Sequence, residues 1–251
     1  MNTKHSSSAP HTASAWIAAR DQTRAVTLPW KSESVAAPNL ISPTTISHAE
    51  RLRKLGHMAP ALIAFLLPWA PDYATVAEDL GPNVVRLLAL VIVSALAAVM
   101  LVSSKSLSRP GERDYTTAVG GYALLVMLPL IAFPARLELG MTVLAVIAIG
   151  DGAAGLIGMT YGGERLPWNP AKTRIGTLAF VAFATPAATA AYLLSSHPAV
   201  SFINAFILGS MTAVAAALAE SWESEINDNI RVGVTAVSSV LLWQGLLFGW
   251  N

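Results

Sequence analysis

The sequence predicts an all-α, polytopic integral membrane fold of about seven transmembrane helices, with its N-terminus in the cytoplasm. Three observations carry this expectation. Only 12 % of the 251 residues are charged, about half the share usual in soluble chains, and the mean hydropathy is +0.53. Residues 87–104, 115–135, 175–219 and 232–251 carry no Lys, Arg, Asp or Glu. Each is long enough to cross a hydrocarbon core of about 30 Å, and the third is long enough to cross twice. The Lys and Arg residues between these stretches are distributed very unequally over the two sides.

Residues 1–49 form the first segment. They are rich in Ser, Thr, Ala and Pro and carry few charges, which reads as a disordered tail ahead of a membrane domain over 50–251. No basic start followed by an apolar run marks a secretory signal. An organelle transit peptide is the alternative for so acid-poor a leader. His5, His11 and His48 are too scattered to suggest a metal site.

Hydropathy then places spans at 55–72, 86–104, 116–135, 138–160, 175–195, 199–219 and 231–250. Pro60 and Pro68 predict kinks in the first. With seven spans, residues 1–54, 105–115, 161–174 and 220–231 share one side and hold all but two of the 16 Lys and Arg residues. The other side keeps Arg86 and Arg136. The positive-inside rule makes the richer side cytoplasmic. A bacterial inner membrane is favoured, with an organelle membrane as the alternative.

Composition also excludes several function classes. The net charge of +1 offers no bulk basicity for a nucleic-acid partner. Zero cysteines exclude disulfides, thiolate nucleophiles and Cys-based metal sites. Transporters place polar groups near mid-membrane between internal repeats. Here no repeat is visible and the polar clusters gather toward one face, as suits an enzyme drawing a soluble co-substrate from the cytosol.

Four clusters are candidates for chemistry. Arg51, Arg53 and Lys54 mark the membrane border, where contact with anionic head groups explains them. His57 follows one turn into the apolar segment, where an imidazole needs a partner. Arg109 and Arg113 lie in a loop with Pro110-Gly111; they either hold phosphate oxygens or only set orientation. The third cluster runs from Gly150-Asp151 through Gly155, Gly158 and Gly162 to Lys172-Thr173 and Gly176. Helical spacing of the glycines suits close helix packing. That does not explain Asp151, a carboxylate in an apolar stretch, or the Lys-Thr pair that precedes the next helix. Small residues beside an acid and a lysine would admit phosphates with Mg²⁺ between the oxygens. The fourth cluster holds Glu220, Glu223, Glu225 and Asp228, either a solvated loop or oxygen ligands for a hard cation.

These clusters, in this order, resemble the CTP-dependent lipid-alcohol kinases (dolichol, phytol and farnesol kinases and the yeast-type diacylglycerol kinase), relatives of the phosphatidate cytidylyltransferases. The resemblance covers about 51–240. Gly150-Asp151 through Gly163, with Lys172-Thr173 and Gly176, is similar to the family's nucleotide region. Arg53-Lys54-x-x-His57, Arg109-Pro110, and Glu220 with Asn227-Asp228-Asn229 resemble its other elements. Ile175 and Asn227 stand where family members usually carry acids. The late glycine- and histidine-rich stretch of the cytidylyltransferases has no counterpart here, which favours kinase chemistry over CDP-lipid synthesis. A non-catalytic membrane relative is the remaining alternative.

The resemblance implies transfer of the γ-phosphoryl group of CTP to the hydroxyl of a membrane lipid alcohol, isoprenoid or diacylglycerol, with Mg²⁺. In that reading Asp151 and Asp228, completed by Asn229 and Glu220, hold the metal. Lys172, Thr173 and Arg109 hold phosphate, with Gly150, Gly155, Gly158, Gly162 and Gly176 letting the nucleotide approach. Asp151, Lys172, Asp228 and His57 form the catalytic set, and His57 receives the alcohol proton.

Overall fold

The computed structural model describes residues 40–66, 73–102, 115–133 and 135–250. By contact the chain divides into Met1–Asn39 and Leu40–Asn251, and the second unit is the one described. It takes in residues 40–49, which composition placed in the tail. The reason is local pairing. A short strand, β1 (Leu40–Ile41), joins a sheet, and Thr44 donates from both N and Oγ1 to the Met159 carbonyl at 3.1 Å.

Helix α1 (His48–Met58) starts on an N-cap, in which Ser47 Oγ accepts from the Glu50 N–H at 3.2 Å. Glu50 then pairs with Arg53 at 2.7 Å, one turn on. The chain turns at Ala59-Pro60, where proline removes a backbone donor, and α2 (Ala61–Leu66) follows. The span expected over 55–72 is therefore broken at Pro60, and its last residues lie outside those described. Residues 86–102 of the next expected span, 86–104, are part of α3 (Tyr73–Val102), whose apolar stretch is Leu90–Val102, and the last two lie outside the described residues.

The remaining expectations fall on helices of matching position. These are α4 (Tyr115–Ala132), a rod over Leu137–Tyr161, α7 (Arg174–Ser195), α8 (Phe202–Ser221) and α9 (Asp228–Phe248). Among the described residues, these five are long and apolar enough to cross a bilayer, as a membrane protein requires, against the seven expected. The rod comprises α5 (Leu137–Ala145), a π-helical turn (Val146–Asp151) and α6 (Gly152–Tyr161).

The rod is the centre of the molecule. Every residue of α5 is buried, and α7, α8 and α9 pack around it largely through alanines. Ala184, Ala188 and Ala191 on α7, Ala205, Ala213 and Ala216 on α8, and Ala236 on α9 are all completely buried. Small side chains let helix backbones approach closely where lipid removes the hydrophobic drive between helices. Within this core the Tyr192 hydroxyl donates to Gln244 Oε1 and joins α7 to α9.

Between α6 and α7 the chain forms a hairpin, β2 (Gly163–Leu166) and β3 (Asn169–Thr173), antiparallel to each other, and β1 pairs antiparallel to β2 on its other edge, in the order β1-β2-β3. This segment reads in sequence as a plain loop, because Pro167 and Pro170 interrupt any alternating pattern. The turn is held by Arg165 Nη1 donating to the Pro170 carbonyl at 2.6 Å and by the Ala171 N–H donating to Asn169 Oδ1 at 3.1 Å. Trp168 ties it to the end of α8 through Ser221 Oγ at 3.3 Å. The all-α expectation thus holds for the membrane part and omits this small sheet, which fixes the position of Lys172.

Candidate active site

The segment Gly150-Asp151-Gly152 ends the π-helical turn. A Cβ on Gly150 would lie 2.5 Å from the Phe180 ring, and one on Gly152 would collide with Met58. Only glycine on both sides lets the rod pass between α7 and α1, and Asp151 is the side chain left at that crossing. π-Bulges are frequent at functional sites. Lys54 and His57 reach Asp151 from α1, since residues three apart share a helix face. Lys54 Nζ donates to Asp151 Oδ2 at 3.1 Å. His57 Nε2 stands 3.3 Å from the same oxygen, at an angle that makes no hydrogen bond. The Lys54 stem crosses Gly155, where a Cβ would come within 2.5 Å of the ammonium.

A second group faces the first. Lys172, at the end of β3, donates to Glu220 at the end of α8 and to Asp228 Oδ2 at the start of α9, the latter at 2.7 Å. Asp228 Oδ1 accepts from Arg231 Nη2 at 2.6 Å, one turn along α9. Burial would push the Lys172 ammonium down, but the Glu220 and Asp228 carboxylates outweigh it and hold the group above the ordinary lysine value. Lys172 therefore stays charged throughout the physiological range.

Helix starts complete the wall. Thr173 caps α7, its Oγ1 accepting from the Gly176 N–H at 3.1 Å. Gly158 and Gly176 bring α6 and α7 into close approach there, since a Cβ on either would meet Thr173 Oγ1 at 3.0 to 3.1 Å. Asn227 caps α9, accepting from the Asn229 N–H at 3.0 Å. The side chain that replaces an acid thus serves as an N-cap, a place where Asn and Asp rank equally. Asn229 Nδ2 donates to the Ala118 carbonyl of α4 at 3.1 Å, joining α9 to α4.

Both groups line one cavity of about 690 Å³, together with Gly155, Gly158, Thr173 and Gly176. Of the residues expected at the site, His57, Asp151, Lys172, Glu220, Asp228 and Asn229 are brought together. Gly150 packs against Phe180 instead, and Gly162 (φ +63°) ends α6 beneath β1. Arg109 lies outside the described residues. Lys54, which reads in sequence as a border charge, lines the site, and Arg231 supports it through Asp228. The spacing of Lys54 and His57 on one helix face was the available signal for the first.

Among the described residues, no three His, Asp or Glu side chains converge as metal ligands. Mg²⁺ does not require such a cage, because it is commonly held by one or two carboxylates together with substrate phosphates. The hard oxygen donors of Asp151, Glu220 and Asp228 fit that pattern.

The chain is similar to three plant proteins. It is 30 % identical over 215 residues to "Probable phytol kinase 3, chloroplastic" of Glycine max, covering 76 % of this chain and 62 % of that protein. It is 30 % identical over 202 residues to "Probable phytol kinase 2, chloroplastic" of Oryza sativa subsp. japonica, covering 73 % and 63 %. "Probable phytol kinase 1, chloroplastic" of the same species is 25 % identical over 151 residues. The chain spans less than two thirds of the length of each of these relatives. No family model matches it, and no solved structure does.

Proposed function

We propose that this protein is a lipid-alcohol kinase that transfers the γ-phosphoryl group of a nucleoside triphosphate, CTP, to the hydroxyl of a membrane-dissolved alcohol. The observation that carries the reading is the pairing of Asp151–Lys54–His57 with Lys172–Glu220–Asp228 across one cavity at the ends of apolar helices. Similarity to proteins named as phytol kinases supports the alcohol as acceptor. CTP as donor and the cytoplasmic placement of the cavity extend the resemblance and the charge distribution read in the sequence.

Phosphoryl transfer depends on positioning and on neutralising charge at the transferred group. Asp151 and Asp228, with Glu220, would hold Mg²⁺, which when bound supplies charge neutralisation at the phosphates. Lys54 and Lys172 exchange their carboxylate partners for phosphate oxygens. The start of α7 presents backbone N–H groups beside Gly158 and Gly176, an arrangement favourable to a phosphate. The alcohol oxygen forms a bond to the γ-phosphorus as the bond to the β-phosphate oxygen breaks and CDP leaves. The hydroxyl proton passes to His57, whose Nε2 lacks a hydrogen-bond partner and lies beside Asp151.

The test is product analysis on purified protein in detergent with Mg²⁺, CTP or ATP, and a panel of phytol, longer isoprenoid alcohols, diacylglycerol and phosphatidate. The expected result is a phosphorylated alcohol with one equivalent of nucleoside diphosphate, and greater turnover with CTP. Pyrophosphate release, or no phosphorylated product with any acceptor, overturns the reading.

A further inference from the structure

Two smaller cavities follow one another away from the polar one, neighbours sharing lining residues. The first, of about 70 Å³, shares Arg53, His57, Ala118 and Asn229 with it and adds Met100, Val119 and Tyr122. The second, of about 20 Å³, shares Met100, Val119 and Tyr122 with the first. Its other lining is wholly apolar, including Ile63 of α2, Val93 and Leu96 of α3, Val126 of α4 and Leu144 of the rod. The series grades from charged to hydrocarbon along two helices. Ala118, Tyr122 and Val126 fall four residues apart on α4, steps of about 6 Å each. Met100 to Val93 on α3 covers about 10 Å in parallel.

At the junction stand two buried polar atoms without hydrogen-bond partners, the Tyr122 hydroxyl and His57 Nε2. Tyr122 is only 4 % exposed, and its ring stacks on the imidazole at 5.1 Å between centroids. A buried phenol usually finds a partner, and leaving one unmade costs about 1 to 3 kcal/mol. An alcohol hydroxyl, donor and acceptor at once, satisfies both atoms. Met100, flexible and unbranched, lines both small cavities.

We propose that this passage is the acceptor site: the alcohol's hydroxyl sits between Tyr122 and His57, and one hydrocarbon chain runs past Met100 toward Val93, Leu96 and Val126, whose side chains part to admit it, since the cavity between them is only about 20 Å³ without it. The narrowness of the passage selects alcohols with a single chain over two-chain glycerolipids. Tyr122 is a substrate-binding residue that the family motifs do not include. The proposal rests on the lipid-alcohol reading above for its acceptor, and its test does not require turnover.

A single-chain fatty alcohol bearing a mid-chain diazirine would be photolysed with the purified full-length protein, and labelled residues located by mass spectrometry. Label is expected on Val93–Met100 and Val119–Val126 at five times or more the level on the exposed Leu242 and Leu246. Excess unlabelled single-chain alcohol should remove it, and diacylglycerol should not. Ala123→Phe, at a partly buried lining position, should abolish this labelling and leave nucleotide binding unchanged. Tyr122→Phe, which keeps the ring, should raise the apparent Kd for the alcohol about five- to tenfold, the worth of one hydrogen bond. Equal labelling of lining and outer residues, labelling unchanged in Ala123→Phe, or effective competition by diacylglycerol overturns the proposal. Labelling at the passage without any phosphorylated product would overturn the kinase reading and leave an alcohol-binding site standing.

Discussion

Asp151 and Glu138 are both acids on the central rod, and their surroundings separate their roles. Glu138 lies at the start of the rod, 3.9 Å from Arg136, whereas Asp151 faces the cavity between Lys54 and His57. Asp151→Asn keeps the shape and removes the charge. It is expected to lower kcat about 10²- to 10³-fold, the loss typical of one electrostatic contact at a reacting group, with the circular dichroism spectrum unchanged. Turnover within threefold of wild type would remove Asp151 from the mechanism. Lys172 carries a stability cost as well. Lys172→Met leaves Glu220, whose side chain is 5 % exposed, without its partner, and breaking such a pair costs on the order of 3 to 5 kcal/mol. The double variant Lys172→Met/Glu220→Gln should recover most of the lost thermal stability and none of the activity. Asp151 and Lys172 were legible because a carboxylate in an apolar run and a lysine before a helix have few structural uses. Tyr122 was not, because an aromatic among leucines and valines carries no sign of whether its hydroxyl is satisfied.

Among the elements, the start of α7 and the hairpin before it set the position of Lys172. Thr173→Ala removes the N-cap and is expected to cost about 1 kcal/mol of stability, a few degrees in thermal denaturation, while Thr173→Ser should not. Because the cap also shapes the cavity wall, the alanine variant should raise KM for the nucleotide more than for the alcohol. The long helices from α4 to α9 were readable from apolar length alone. The first two expected spans were less so, since Pro60 breaks one and the other is part of a longer helix whose early residues are more polar. The hairpin left no periodic trace, because its short strands are held by a turn and by pairing to β1, contacts distant in sequence. Asn227 illustrates a related limit: a lost carboxylate can be read, but its use as a cap shows only in the folded chain.

At the scale of the whole molecule, the proposed topology would put the cavity on the cytoplasmic face. The chain contains no cysteine, so single-cysteine variants need no background changes. Ser224→Cys, beside the cavity, should react with a membrane-impermeant maleimide only in inside-out vesicles. Ala199→Cys, in the connection between α7 and α8, should react only in right-side-out vesicles. The reverse pattern would invert the topology. The unequal distribution of Lys and Arg made this expectation available from sequence, whereas the joining of three distant clusters into one cavity needed the packing of α1 against the rod. The central claim is that the γ-phosphoryl group moves to a lipid hydroxyl, and isotope placement tests it most directly. Parallel reactions with CTP labelled at the α- or the γ-phosphorus should give labelled lipid from the γ-label alone, and none with Asp151→Asn. Label entering lipid from the α-phosphorus, or from neither, would contradict the account.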